Sequence, residues 1–359
     1  MPYLFLIALT LLPLTVMKSD VKLLRKHELN YVILFSIILI FTFFYGLRYN
    51  VGIDYMTYYR NAEQKIYDLP QKGTGELFEP AFRFLYRAAD FLALPPNTIF
   101  LFGGFVMYVF LFFGIQAYSK NFAASLFIFF SSGLFFFSFN EFRQFIAVCI
   151  IFAGYRYCVS RKFIQWCAMV FLAYLFHHSS LIAFPMYFLS FIHLTKRKIN
   201  ILIVVSLIMK KIGALETLCL ILSYLPGYFR NYAKVLPYMI TEGSSGIIGY
   251  TYLLIIFLMA NFSHYAIKSS EENFFFKLFI FSSFFQNIFY NVYLVGRLME
   301  YFSISMLVIY PIFYERSKKK MITYILFLGI SSLFLLNLLK YMFFPPADSL
   351  LHYQTVFSR

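Results

Sequence analysis

Four short polar stretches break an otherwise apolar chain, and each carries side chains able to bind an anion or move a proton. "RYNVGIDYMTYYR" offers Arg48, Asp54, Tyr58 and Arg60. "NEFRQF" offers Asn140, Glu141, Arg143 and Gln144, "FHHSS" offers His177 and His178, and "GRLMEYF" offers Arg297 and Glu300. Guanidinium forks match phosphate oxygens two at a time, and an imidazole titrates where a general base is useful. Arg143 and Arg297 fall in the predicted first turns of helices. There the helix dipole disfavours a cation by about 0.3–1 kcal/mol, while the backbone N–H groups form a ready phosphate site. A cation placed so asks for an anionic ligand, and two such helix starts facing one cavity would suit a diphosphate.

Each residue also has a plainer reading. Arg48 can snorkel to a bilayer interface. Asp54 is placed to N-cap a helix over "YMTYYRNAEQKI", with Gly52 in the preceding turn. His177 and His178 can be solvated hairpin residues, and tyrosines at such a depth are commonly interfacial anchors. Glu141 and Glu300 can satisfy Arg143 and Arg297 as local ion pairs.

The elements that must position these residues follow from composition. The 359-residue chain is 61% hydrophobic and 13% charged, with a mean hydropathy of +0.72. Soluble domains hold about 45–50% apolar residues, and apolar runs of about 18 residues or more read as membrane helices. The chain is therefore expected to be an all-α polytopic membrane protein, one integral domain over 1–359. Twelve spans are predicted at 2–17, 30–47, 98–118, 122–139, 142–160, 163–177, 180–195, 199–212, 248–267, 277–295, 298–314 and 321–342. The run 212–225, which contains Glu216, suits an interfacial helix better. A formal charge of +15 does not point to nucleic acid, because the basic residues punctuate loops rather than forming a patch. Cys149, Cys158, Cys167 and Cys219 lack the spacing of a metal or disulfide motif and read as small buried hydrophobes.

Charge sets the expected orientation. The alternate junctions 18–29, 119–121, 156–162, 196–198, 268–277 and 315–320 together hold 17 Lys or Arg. These junctions are short, which is where the positive-inside rule applies. The two long segments, 48–97 and 210–247, and both termini then face the other side, the periplasm of a bacterium. The first apolar run has no basic residue before it, unlike a secretory signal, and reads as a retained span. The basic residues of 48–97 are largely offset by Asp54, Glu63, Asp68, Glu76, Glu79 and Asp90. No P-loop or dinucleotide fingerprint is present.

The four stretches carry a family resemblance. "RYNVGIDYMTYY" resembles the R-x-x-x-G-x-D-x-x-x-Y element of EpsG-like and Wzy-type O-antigen polymerases. "NEFRQFIAVCIIFAGYRY" is similar to their N-x-x-R-Q-x-x-A helix, "FHHSSLIAFP" to their F-H-x-S hairpin, and "GRLMEYF" to their late R-x-x-x-Y-F element. The resemblance implies a GT-C-like membrane glycosyltransferase that joins undecaprenyl-diphosphate-linked repeat units at the periplasmic face of the inner membrane. Matching positions imply His178, Asp54, Arg143 and Arg297 as catalytic, and Arg48, Tyr58, Gln144 and His177 as substrate-binding. The doubled histidine leaves open which of the two acts. Arg230, with Tyr228 and Tyr232, lies in the 210–247 loop, which matches no motif, and is expected to touch substrate. The implied partners are lipid-linked glycans, the bilayer and a chain-length regulator protein, without a cofactor or metal. An O-antigen ligase would share the donor, and a flippase would share the need for a lipid diphosphate. A flippase should show related halves, and no repeat is visible here.

Overall fold

The computed structural model describes residues 2–18, 26–68, 70–71, 75–76, 78–212, 219–220, 223–224, 257–262, 266–289, 292–317, 321–343, 350 and 352–357. Arg230, Tyr228, Tyr232 and most of the 210–247 loop and of the predicted span 248–267 lie outside the described residues. The described chain is helical, and it divides into two compact units. The first contains residues 1–157, 162–184 and 331–359, and the second contains 158–161 and 185–330.

In the first unit, α1 (Pro2–Lys18) packs on α2 (Lys26–Gly46), and α2 packs along α5 (Thr98–Tyr118). The α5 sequence explains the close approach. A Cβ on Gly104 would sit 3.0 Å from the Tyr45 ring of α2, and one on Gly103 would collide with the ring of Phe142 at the start of α8 (Phe142–Val159). Small residues let membrane helices approach in this way. Between α2 and α5 run a two-residue strand β1 (Arg48–Tyr49), α3 (Tyr55–Glu63), a small hairpin β2 (Pro70–Gln71) and β3 (Gly75–Glu76), and α4 (Pro80–Phe91). The predicted span 122–139 is broken. α6 (Phe122–Ser131) and α7 (Leu134–Asn140) meet at 55°, because Gly133 takes a left-handed φ of 92° between them. α9 (Phe163–Tyr174) follows α8. The chain end returns as β4 (Gln354–Thr355), antiparallel to β1.

A 3-10 helix (His178–Ser190) has residues in both units, and the second unit holds α10 (Lys196–Lys211), α11 (Ser270–Ile288), α12 (Tyr293–Ser303) and α13 (Met306–Ser317). α11 packs against α10, α12 and α13. α14 (Met321–Phe343) has residues in both units. The predicted α-helical span 180–195 is instead this 3-10 helix, with Pro185 inside it. The ring of an interior proline crowds the carbonyl four residues back, which breaks an α-helix there. The 13 residues still reach about 26 Å at the rise of a 3-10 helix.

Among the described residues α5 and α8 are long and apolar enough to cross a membrane, and the count rises to four if each bent pair, α6–α7 and α12–α13, is one span. All four cysteines are free, with Cys149 and Cys158 buried.

The start of α11 is tied to the end of α13 by a two-pronged ion pair, Arg316 Nη1 and Nη2 to Glu272 at 2.7 and 2.6 Å. Glu272 also accepts from the Lys268 backbone N–H at 2.7 Å, and Ser269 caps the helix. Burial pushes the Glu272 carboxyl up, but the Arg316 fork and these N–H donors outweigh it and hold it below the usual carboxylate range. A depressed folded-state value means stability present above the unfolded-state value and lost as pH falls through the folded one. Glu272→Gln is therefore expected to lower the unfolding temperature at pH 7, and the difference from wild type should shrink below about pH 4. Thermal melts of the two proteins across that range check it.

Candidate functional site

Two of the polar stretches are joined into one structure in the first unit. The turn after α2 docks on the α7–α8 junction at three points. Tyr45 Oη donates to the Ser138 carbonyl at 2.7 Å, and the Ile53 N–H donates to Asn140 Oδ1 at 2.9 Å. Between them Gly52 has a φ of +102°, and a Cβ there would sit 2.5 Å from the Phe139 carbonyl oxygen. The glycine and the asparagine of the two motifs thus serve one contact.

Arg48 does not snorkel. It is fully buried, and its guanidinium carbon lies 3.6 Å from the Tyr45 ring centroid, 4.6 Å from Phe139 and 4.8 Å from Phe100. Its three nitrogens have no hydrogen-bond partner among the described residues. Cation–π attraction grows when the cation is desolvated, so the aromatic cage is what holds this charge. The chain end closes over it. β4 pairs with β1, the Val356 N–H donates to the Leu47 carbonyl at 2.9 Å, and Tyr353 stacks on Phe44 and donates to its carbonyl. Arg48 is therefore a buried cation caged by aromatic rings.

The tyrosines of α3, Tyr55, Tyr58 and Tyr59, are buried too, unlike interfacial anchors. Tyr55 stacks on Phe100 at 4.3 Å, and Tyr58 packs among Phe78, Phe82 and Phe142. Asp54 occupies the N-cap position of α3, yet its side chain makes no capping bond, because its backbone already has helical angles (φ −88°, ψ −1°). A capping residue takes extended angles instead. Asp54 is half-buried and Arg60 is exposed.

Arg143 is the second residue of α8, so it does lie in a first helical turn. It has an internal partner, but not the neighbouring Glu141. Its Nη1 pairs with Glu79 Oε2 at 2.5 Å, and its Nε donates to Tyr58 Oη at 3.3 Å. The Phe78 ring centroid lies 5.0 Å from the guanidinium. The Glu79 side chain is 7% exposed and that of Arg143 25%. Burial raises the Tyr58 phenol above its ordinary value, which keeps it a neutral acceptor for Arg143. Gln144, on the next residue of α8, is buried.

Glu79 went unrecognised in the sequence because it reads as one acid among six in the 48–97 segment. Its placement comes from Pro80, which opens α4, since the residue before a proline is driven to extended angles. The Ala81 N–H then donates to the Leu175 carbonyl at 2.9 Å, just past the end of α9. Glu79 and His177 each lie two residues from that bond, so the histidine hairpin is attached where the Arg143–Glu79 pair begins. The two imidazoles differ. His177 is half-buried, and its Nδ1 accepts from the Ser179 N–H at 3.3 Å with Ser179 Oγ at 2.7 Å. Accepting at Nδ1 places the proton of the neutral ring on Nε2. His178 is exposed and stacked on Tyr174 with centroids 4.5 Å apart.

Arg297 belongs to the second unit. It is the fifth residue of α12, half-buried, with Glu300 buried one turn on. It therefore lies in the second helical turn rather than the first. Among the described residues no three His, Cys, Asp or Glu side chains come together as a metal site.

Apolar helices, two of them long enough to cross a bilayer, and an arginine–carboxylate pair at the start of one of them define an α-helical membrane protein with a charged site at a helix end. The chain belongs to the EpsG family, whose model matches residues 31–355, nearly its full length. Neither the curated proteins nor the solved structures contain a match to it.

Proposed function

We propose that this protein is a GT-C-type glycosyltransferase that polymerises undecaprenyl-diphosphate-linked oligosaccharide units into O-antigen or a related surface polysaccharide. In this reading it crosses the bacterial inner membrane about twelve times, with 48–97 and 210–247 and the active site facing the periplasm. Membership of the EpsG family supports the class. The single observation that supports the chemistry is Arg143: held on two sides, a quarter exposed, and at the start of a helix. A guanidinium has five N–H donors, and the two bonds to Tyr58 and Glu79 leave three for a ligand.

The reaction needs those donors. The acceptor hydroxyl oxygen bonds to the anomeric carbon as the bond to the phosphate oxygen breaks, and the electron pair leaves on the lipid diphosphate. Fixed donors stabilise charge where it develops; Arg143 carries that role, with Arg297 as second donor. The acceptor proton passes to a base, for which the reading takes His178, with Asp54 next. His177 and Gln144 bind substrate, as does Arg230. A chain-length regulator is the protein partner.

Purified protein given lipid-linked units as the only substrate should yield a ladder of products on a gel. Transfer that requires lipid A core would make it a ligase, and transbilayer movement without a new bond would make it a flippase.

Two further results are expected. Asp54→Asn should reduce polymer synthesis while the protein still accumulates in the membrane. Full activity would take Asp54 out of the site. Single cysteines replacing Lys72 and Glu242, in a background without the four native ones, should react with an impermeant thiol reagent in intact spheroplasts. Protection at both would reverse the orientation.

A further inference from the structure

A buried carboxylate at a helix start normally has work to do for its own helix, because the first backbone N–H groups lack partners and attract negative charge. Glu79 stands at the N-cap of α4 but makes no side-chain capping bond. Its Oε2 instead reaches across to Arg143 Nη1. The residue is 7% exposed, so this acid has been withdrawn from water to face one guanidinium.

The consequence is geometric. Arg143 is anchored at Nε by Tyr58 and at Nη1 by Glu79. Two contacts at different nitrogens of a planar group fix its rotation, and the remaining N–H donors then point along a set direction. The Tyr58 contact alone is long, at 3.3 Å, and leaves the group free to turn about its own stem. Glu79 is itself held firmly, by Pro80 at the first position of α4 and by the Ala81–Leu175 backbone bond two residues on.

We propose that Glu79 is a positioning residue: it sets the plane of the Arg143 guanidinium so that the free N–H edge meets the diphosphate of the lipid-linked donor. The inference rests on the polymerase reading for the identity of the ligand. Fixing a donor before the ligand arrives removes an ordering cost at binding, and a misplacement of about 1 Å can cost about 100-fold in rate.

The test is the affinity of undecaprenyl diphosphate itself for the protein in nanodiscs, compared among wild type, Glu79→Ala and Glu79→Gln, with melting temperatures recorded for each. Gln keeps an oxygen that accepts from Arg143 and removes the charge; Ala removes both. The expected result is binding at least tenfold weaker in Glu79→Ala and near wild type in Glu79→Gln. Arg143→Lys should weaken wild type but add nothing further to Glu79→Ala, since coupled residues are not additive. A purely structural acid would lower the melting temperature of Glu79→Ala and leave affinity unchanged, which overturns the proposal. Tighter binding by both variants also overturns it, because Glu79 would then be a rival anion. Equal or undetectable binding throughout does the same. If the affinities behave as expected but no ladder forms, the polymerase reading fails and the positioning role stands.

Discussion

Arg143→Ala is expected to abolish polymer and, in addition, to reduce the amount of folded protein. The first effect is the loss of a donor to a developing leaving-group charge, on the order of 10²–10³ in rate. The second follows from Glu79, which would be left buried without its counter-charge. Removing one partner of a buried pair costs about 3–5 kcal/mol, more than the pair itself contributes. Two effects in one variant must be separated. Arg143→Ala combined with Glu79→Ala removes the stranded charge, so accumulation and melting temperature should recover while activity stays absent. Arg143→Lys keeps the charge and should restore part of the activity, since an ammonium lacks the fork. Quantitative blots of membranes alongside the product gel read both effects. A normal ladder from Arg143→Ala would end the anion-clamp account.

Gly52→Ala is expected to be the most damaging single methyl group in the first unit. At φ +102° an alanine is strained by about 1–2 kcal/mol, and its Cβ would meet the Phe139 carbonyl oxygen at 2.5 Å. That neighbour is backbone and cannot swing aside. The bond from Ile53 to Asn140 would be pushed apart with it, and Arg143 begins three residues later. The variant should melt at a clearly lower temperature than wild type and lose activity in the fraction that remains folded. A wild-type melting curve for Gly52→Ala would mean that the turn and the α7–α8 junction are not joined as described.

Several of these relations were visible in the sequence, and the reasons others were not are physical. The apolar runs gave α2, α5, α8 and α14 to within a few residues, because hydropathy is local to the chain. Arg143 was legible as a cation at a helix start for the same reason. Its partner was not, because Glu79 lies 64 residues upstream and pairs by tertiary contact. Glu141, two positions away, looked the better candidate only by proximity in sequence. The burial of Arg48 was not legible, since nothing local reveals that Tyr45, Phe100 and Phe139 close around it. Asp54 and Gly52 had a satisfying local story as cap and turn. The glycine is needed for a contact with residue 139, and the aspartate does not cap. The breaks at Gly133 and after Ser303 are also tertiary decisions, which an unbroken apolar run conceals. Arg297 was expected one turn too early because α12 starts at Tyr293.

The central claim is that each new glycosidic bond releases one lipid diphosphate from a donor held by Arg143. The most direct measurement follows purified wild-type protein with lipid-linked repeat units as sole substrate, counting undecaprenyl diphosphate released against linkages formed. The predicted result is one released per bond, with neither product from Arg143→Ala combined with Glu79→Ala. Release without any new linkage, or linkages formed at the wild-type rate by that double variant, would contradict it.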